Sequence, residues 1–122
     1  MKNLILLLTA LVLSALLLPL GIVFTLVKAL CTWNWRKIGG YLANSAGALA
    51  LAIDHLGNTV CRDLFNSLFL KRGGYGFGNI RETISSALGK NHRQRTLTQA
   101  GQWLVWILDV IDPDHVEKAI QD

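Results

Sequence analysis

From Leu4 to Val27 the chain has no Asp, Glu, Lys, Arg or His, a gap of 24 residues. At about 1.5 Å per residue, a helix over this stretch outreaches the roughly 30 Å hydrocarbon core of a bilayer. Cysteine is almost as scarce. Cys31 and Cys61 stand alone without CxxC spacing, so no paired-cysteine zinc site is present; both are expected to be reduced packing residues, with a disulfide between them the lesser alternative. The three histidines form no HExxH motif. Gly73 to Gly78, GGYGFG, lacks both GxGxxG spacing after a strand and the Gly-Lys-Ser/Thr of a phosphate loop, so a flexible loop is expected there. Ser85 has no nucleophile elbow around it. The sequence therefore supplies no catalytic set, calls for no cofactor and places no metal.

The uncharged run is too long for the apolar core of a secretory signal, which usually spans about 7 to 15 residues. It leads into Lys28, Ala29, Leu30 and Cys31, where Leu30 is bulky for a lipoprotein acceptor. An uncleaved anchor over residues 1–30 is expected, with Pro19 and Gly21 kinking it. Only Lys2 precedes the run, whereas Lys28, Arg36 and Lys37 follow it. Because Lys and Arg resist translocation, the N-terminus is expected outside, with the bulk of the chain in the cytoplasm beneath an inner membrane. Trp33, Trp35, Arg36 and Lys37 then mark the headgroup layer.

Residues 31–122 suffice for one small helical, membrane-proximal domain and too few for two cores. The net charge is +4, and from Arg62 onward eight basic residues face seven acidic ones, so the excess lies beside the anchor. That distribution suits an anionic leaflet better than nucleic acid. Lys90 to Arg95 reads as a short basic loop without the aromatic platform that nucleic-acid binding requires.

Residues 38–53 are uncharged but contain Asn44, Ser45 and three glycines. Two readings stand here: a helix buried in protein or lying at the interface, or a re-entrant or second spanning helix. Gly39, Ala43 and Gly47 recur every four residues, a track along which helices can pack closely.

The rest reads as all-α, a small bundle of amphipathic helices behind the transmembrane helix. Val60, Cys61, Leu64, Phe65, Leu68 and Phe69 follow helical spacing up to Gly73. Asn79 with Glu82 fits a capping box opening a helix that ends near Gly89, and Thr96 with Gln99 repeats the device. Ala100, Trp103, Leu104, Ile107, Leu108 and Ile111 give the clearest apolar stripe in the chain. Asp112 and Pro113 read as the cap and first turn of a terminal helix reaching about Ile120.

Asp54, Asn58, Glu82, Thr83, Ser85, Asp112 and His115 carry the remaining polar chemistry. If the helix bearing Asp54 and Asn58 packs against the helix starts at Asn79 and Asp112, these side chains form one buried hydrogen-bonded cluster joining three elements. Asp112, Asp114, His115 and Glu117 read as a cap cluster.

At these same residues the chain resembles a group of small phage and prophage proteins without an established activity. The likeness rests on DHLGN at residues 54–58, RETISS at 81–86 and DPDHVEKA at 112–119, and covers roughly residues 50–120. In that group a glycine-bearing loop leads to an acidic-Thr-Ile-Ser motif, and the chain closes on a His-Cys pair after an apolar helix. Here Val116 follows His115, so the cysteine of that pair is missing.

Two functional classes follow. The first is a noncatalytic phage-type membrane protein, a lysis accessory or superinfection-control factor that works through the lipid bilayer and a membrane partner or self-association. The second is a membrane-tethered enzyme or metal-binding domain using Glu82 and His115.

Overall fold

The computed structural model describes residues 1–121, and in them the chain is all-helical. It contains two compact units that divide within a helix, at Ala46/Gly47.

In the N-terminal unit, α1 covers Lys2–Cys31 and buries no residue. It is long and apolar enough to cross a membrane, by length and composition. Thr9 and Thr25 donate their hydroxyls to the carbonyls of Ile5 and Gly21 at 2.8 and 2.9 Å. Both hydroxyls are thereby satisfied within the helix itself. Pro19 lies within α1 and has no N–H to give to the preceding turn. A short turn follows, with Trp33 at a positive φ of 49° and its ring edge-on to Trp35 at 6.2 Å.

The second helix, α2, covers Trp35–Val60 and continues into the C-terminal unit. Residues 38–53 are thus the interior of a longer helix. α3 (Arg62–Phe69) follows after a single residue, Cys61. Cys61 is half-buried, but Cys31 is exposed and does not pack as expected.

Within the C-terminal unit, α4 (Ile84–Gln94) runs through the centre and buries Ser85, Ser86, Ala87, Leu88, Gly89 and Asn91. It packs against α5 (Gln99–Ile111) and α6 (His115–Lys118), while α3 packs against α5. Phe77, Ala87, Leu88, Leu97, Val105 and Val116 form the core, extended by Phe65 and Phe69, whose rings lie 5.5 and 6.3 Å from that of Phe77. Gly89 is obligatory where α4 meets α6, because a Cβ there would fall on the Val116 carbonyl. The expected helix end at Gly89 is therefore wrong. Gly89 admits a neighbour, and α4 continues to Gln94, closed by Arg95 at φ 57°.

Each expected helix start moves by a few residues. Thr83 caps α4 by accepting the Ser86 N–H at 3.0 Å, and Thr98 caps α5 by accepting that of Gly101 at 3.3 Å. Asn79 instead closes a turn, its Oδ1 accepting the Arg81 N–H at 3.0 Å. Asp112 ends α5, and α6 begins at His115 after Asp114 in the left-handed region, φ 60°. The capping pattern occurred at neighbouring Thr, Asn and Asp residues alike, and packing chose among them.

Candidate functional site

Glu82 immediately precedes the cap of α4 and is only 2% exposed. Its side chain leaves the helix terminus, contrary to the expected capping box, and turns into the domain. Oε2 accepts the Tyr75 hydroxyl at 2.8 Å, while Oε1 accepts the Ser86 hydroxyl at 2.6 Å and the Lys90 ammonium at 2.8 Å. Lys90, expected in a short basic loop, lies in α4 with Nζ 4.6 Å from the centre of the Tyr75 ring. Burial pushes the Glu82 carboxyl up, but the hydrogen bonds from Lys90, Ser86 and Tyr75 outweigh it and hold the group below its ordinary range. The bond to Glu82 raises Lys90 in turn.

Two residues of α2 complete this corner. Asn58 is fully buried and donates to the carbonyls of Glu82 and Asn79 at 2.7 and 3.0 Å, while accepting the Gly78 N–H at 3.2 Å. One turn away, Asp54 accepts the N–H of Ile84 at 2.8 Å and the Ser85 hydroxyl at 3.3 Å. A carboxylate here meets an orphan amide and the positive end of the α4 dipole together. Asp54, Asn58, Glu82, Thr83 and Ser85 thus surround one helix start.

Asp112 does not join them. It is exposed and binds His115 Nδ1 at 3.1 Å and Lys118 Nζ at 3.2 Å, bonds that hold its carboxyl below the usual value. The expected third element of the cluster is supplied by Gln121, whose N–H reaches Ser86 Oγ at 2.8 Å. His115 does approach the site. With Asp54, Thr83 and Ser85 it lines an open cleft of about 330 Å³, although nothing in the sequence placed it beside Ser85.

The chain matches no protein-family model, no curated protein and no solved structure. Function is therefore read from geometry.

Three asparagines show what most of this geometry does. Asn91 accepts the Tyr75 N–H at 2.7 Å and donates to the Tyr75 carbonyl at 2.8 Å. Asn66 does the same for Phe77, at 2.7 and 3.3 Å. Each carboxamide pairs with the loop as a neighbouring strand would, and Asn58 adds Gly78. The glycine loop expected to be flexible is pinned at three residues. Gly78 itself stands at φ 121° against Arg62, where a Cβ would approach the side chain to 2.9 Å. Asn66 and Asn91 were missed in the sequence because a lone Asn on a helix carries no motif; an apolar-faced helix burying an amide opposite a glycine loop was the available signal.

The remaining expected positions lie elsewhere. Trp33, Trp35, Arg36 and Lys37 are exposed around the α1–α2 turn. Along the small-residue track, a Cβ at Gly39 or Gly47 would meet nothing within 4 Å among the described residues, and Ala43 is exposed.

Proposed function

We propose that the chain is a noncatalytic, phage-type inner-membrane protein, anchored by α1, whose helical unit acts through a membrane partner. A lysis accessory or a superinfection-control factor fits this description. The observation that carries the proposal is the use made of polar chemistry in the C-terminal unit. Glu82, Asn58, Asn91 and Asp54 bond backbone and neighbouring side chains, while α5 leaves Trp103, Trp106, Val110 and Ile111 each more than 60% exposed. Polar groups serve the fold, and the apolar surface is left for contact. The basic bias after α1 supports a cytoplasmic position for the unit. A reporter fused after the last residue should be active on the cytoplasmic side, and deletion of the gene from a phage genome should shift lysis timing or exclusion of a second phage. Unchanged growth in both assays would count against the biological role.

A second reading, a membrane-tethered enzyme, rests on the cleft lined by Ser85, Asp54 and His115, with Asp112 bonded to Nδ1 of the imidazole. A role for Glu82 as base or metal ligand has less support, because Tyr75, Ser86 and Lys90 enclose that carboxylate. His115→Ala separates the readings. The noncatalytic protein keeps its biological activity if the variant folds, whereas the enzyme loses it.

A further inference from the structure

α5 carries no charge between Gln99 and Leu108. Its sequence stripe would turn Trp103, Ile107 and Ile111 toward the core. In the structure Val105 is buried and Leu104 and Leu108 pack against the core, while Trp103, Trp106, Ile107, Val110 and Ile111 remain outside at 66, 68, 47, 65 and 78% exposure. These five fall at i, i+3, i+4, i+7 and i+8, a continuous second apolar face. A helix apolar on two sides needs a cover on both.

Beside this face lies an open cleft of about 620 Å³, and Trp106 forms a wall of both. Lys71, His92, Arg95 and Asp109 line the cleft. Neither Lys71 nor Arg95 has a carboxylate partner among the described residues. Asp109 Oδ1 is buried and likewise bonds to nothing among them. The cleft thus offers two uncommitted cations and an imidazole to an anion, and a carboxylate lacking a donor, at the edge of an apolar strip ending in two indoles.

We propose that this cleft and the α5 face together bind a bilayer phospholipid whose phosphate is followed by a hydrogen-bond donor, as in phosphoglycerol or phosphoethanolamine. The phosphate meets Lys71 and Arg95, the hydroxyl or ammonium meets Asp109, and the acyl chains pass over Trp106 onto Trp103, Ile107 and Val110. Indoles prefer this headgroup depth, with one side apolar and the other wet. The proposal rests on the membrane reading above and deepens it, since it brings the C-terminal unit itself onto the lipid.

The test uses the full chain carrying Trp33→Phe and Trp35→Phe, so that Trp103 and Trp106 are its only tryptophans and are excited selectively. It is reconstituted into vesicles of phosphatidylcholine, alone or mixed with phosphatidylglycerol or phosphatidylethanolamine, with bromine on the acyl chains. Phosphatidylcholine has the phosphate but no donor. Strong quenching and a blue shift are expected with the two donor lipids and little with phosphatidylcholine alone. Lys71→Gln with Arg95→Gln should lose most of that quenching while the melting temperature holds, and Asp109→Leu should erase the difference between lipids. Flotation with the vesicles but unquenched tryptophans overturns the lipid site and leaves the anchor reading standing. Failure to float overturns both. Crosslinking between copies through Ile107→Cys, with the tryptophans unquenched, assigns the face to self-association instead.

Discussion

Leu17 and Leu88 both sit within long helices, yet Leu17 is 59% exposed in the N-terminal unit and Leu88 is 0% exposed in the C-terminal one. The N-terminal unit is the more apolar and buries nothing in α1; the C-terminal unit is the more polar and has a core. Apolar content alone does not make a core. The C-terminal unit closes because Asn58, Glu82 and Asn91 tie its loop and helix starts together. Such a network specifies one arrangement only when every buried member is paired. α1 satisfies its backbone internally and leaves its surface to whatever surrounds it.

Substitutions that treat the two units alike should separate them. The largest effect is expected from a charge in α1. Leu17→Arg near the helix centre should oppose membrane insertion by roughly 2.5 to 3.5 kcal/mol, read as release of the chain by alkaline extraction. The same change at Leu56, exposed on α2 at 61%, should leave the C-terminal unit folded. Retention of the Leu17→Arg chain in the membrane would break the comparison.

Glycine to alanine should act in opposite directions. Gly89→Ala drives a methyl group into the α6 backbone and should cost about 3 kcal/mol in thermal melting. Gly39→Ala meets open space and should favour its helix by about 0.8 to 1 kcal/mol. If bulk at Gly39 or Gly47 instead changes the crosslinked oligomers in membranes, that track is a contact between copies.

Glu82 sharpens the comparison through pH. Glu82→Ala should destabilise the C-terminal unit by about 2 kcal/mol, since Tyr75, Ser86 and Lys90 all lose a partner, though Lys90, 22% exposed, can turn to water. The folded carboxyl titrates below its unfolded value of about 4.3, so its contribution is present above that pH and lost as pH falls through the folded value. Lys90 is shifted upward from about 10.4, so its contribution is fully present below that pH and lost as pH rises through the folded value. Melting temperature should therefore hold between these limits and fall outside them, and Glu82→Gln should flatten the acid limb.

The smaller effects concern caps and surface pairs. Thr83→Ala should cost about 1 kcal/mol by unbonding the Ser86 amide. Arg93→Ala, which removes an exposed pair with Glu117, should cost less than about 1 kcal/mol. Calorimetry that reversed this order would show that the surface pair matters more than the buried network.

Much of the helix content was legible because it depends on local pattern. The span of α1 follows from a missing charge, and α5 from periodic apolar residues. The glycine loop looked flexible because its anchors, Asn66 and Asn91, lie at distant positions. Gly89 looked like a helix end because a glycine needed for close approach reads the same as one needed for a turn. Asp54 and Asn58 stand out as a polar pair on one helix face, and Glu82 fits a cap by sequence spacing alone. The partners that pull it inward, Tyr75, Ser86 and Lys90, lie on a loop and on α4.

By itself the sequence determined a long apolar helix, the basic residues after it, and an all-α remainder with three helix starts read at Asn79, Thr96 and Asp112, each a few residues before the observed one. These are consequences of side-chain polarity and backbone preference over a few residues. Tertiary structure alone decided which face of α5 is buried, which residues cap α4, α5 and α6, and that the Glu82 carboxylate is closed off by its neighbours. Those outcomes depend on groups far apart in sequence competing for the same space and the same hydrogen bonds.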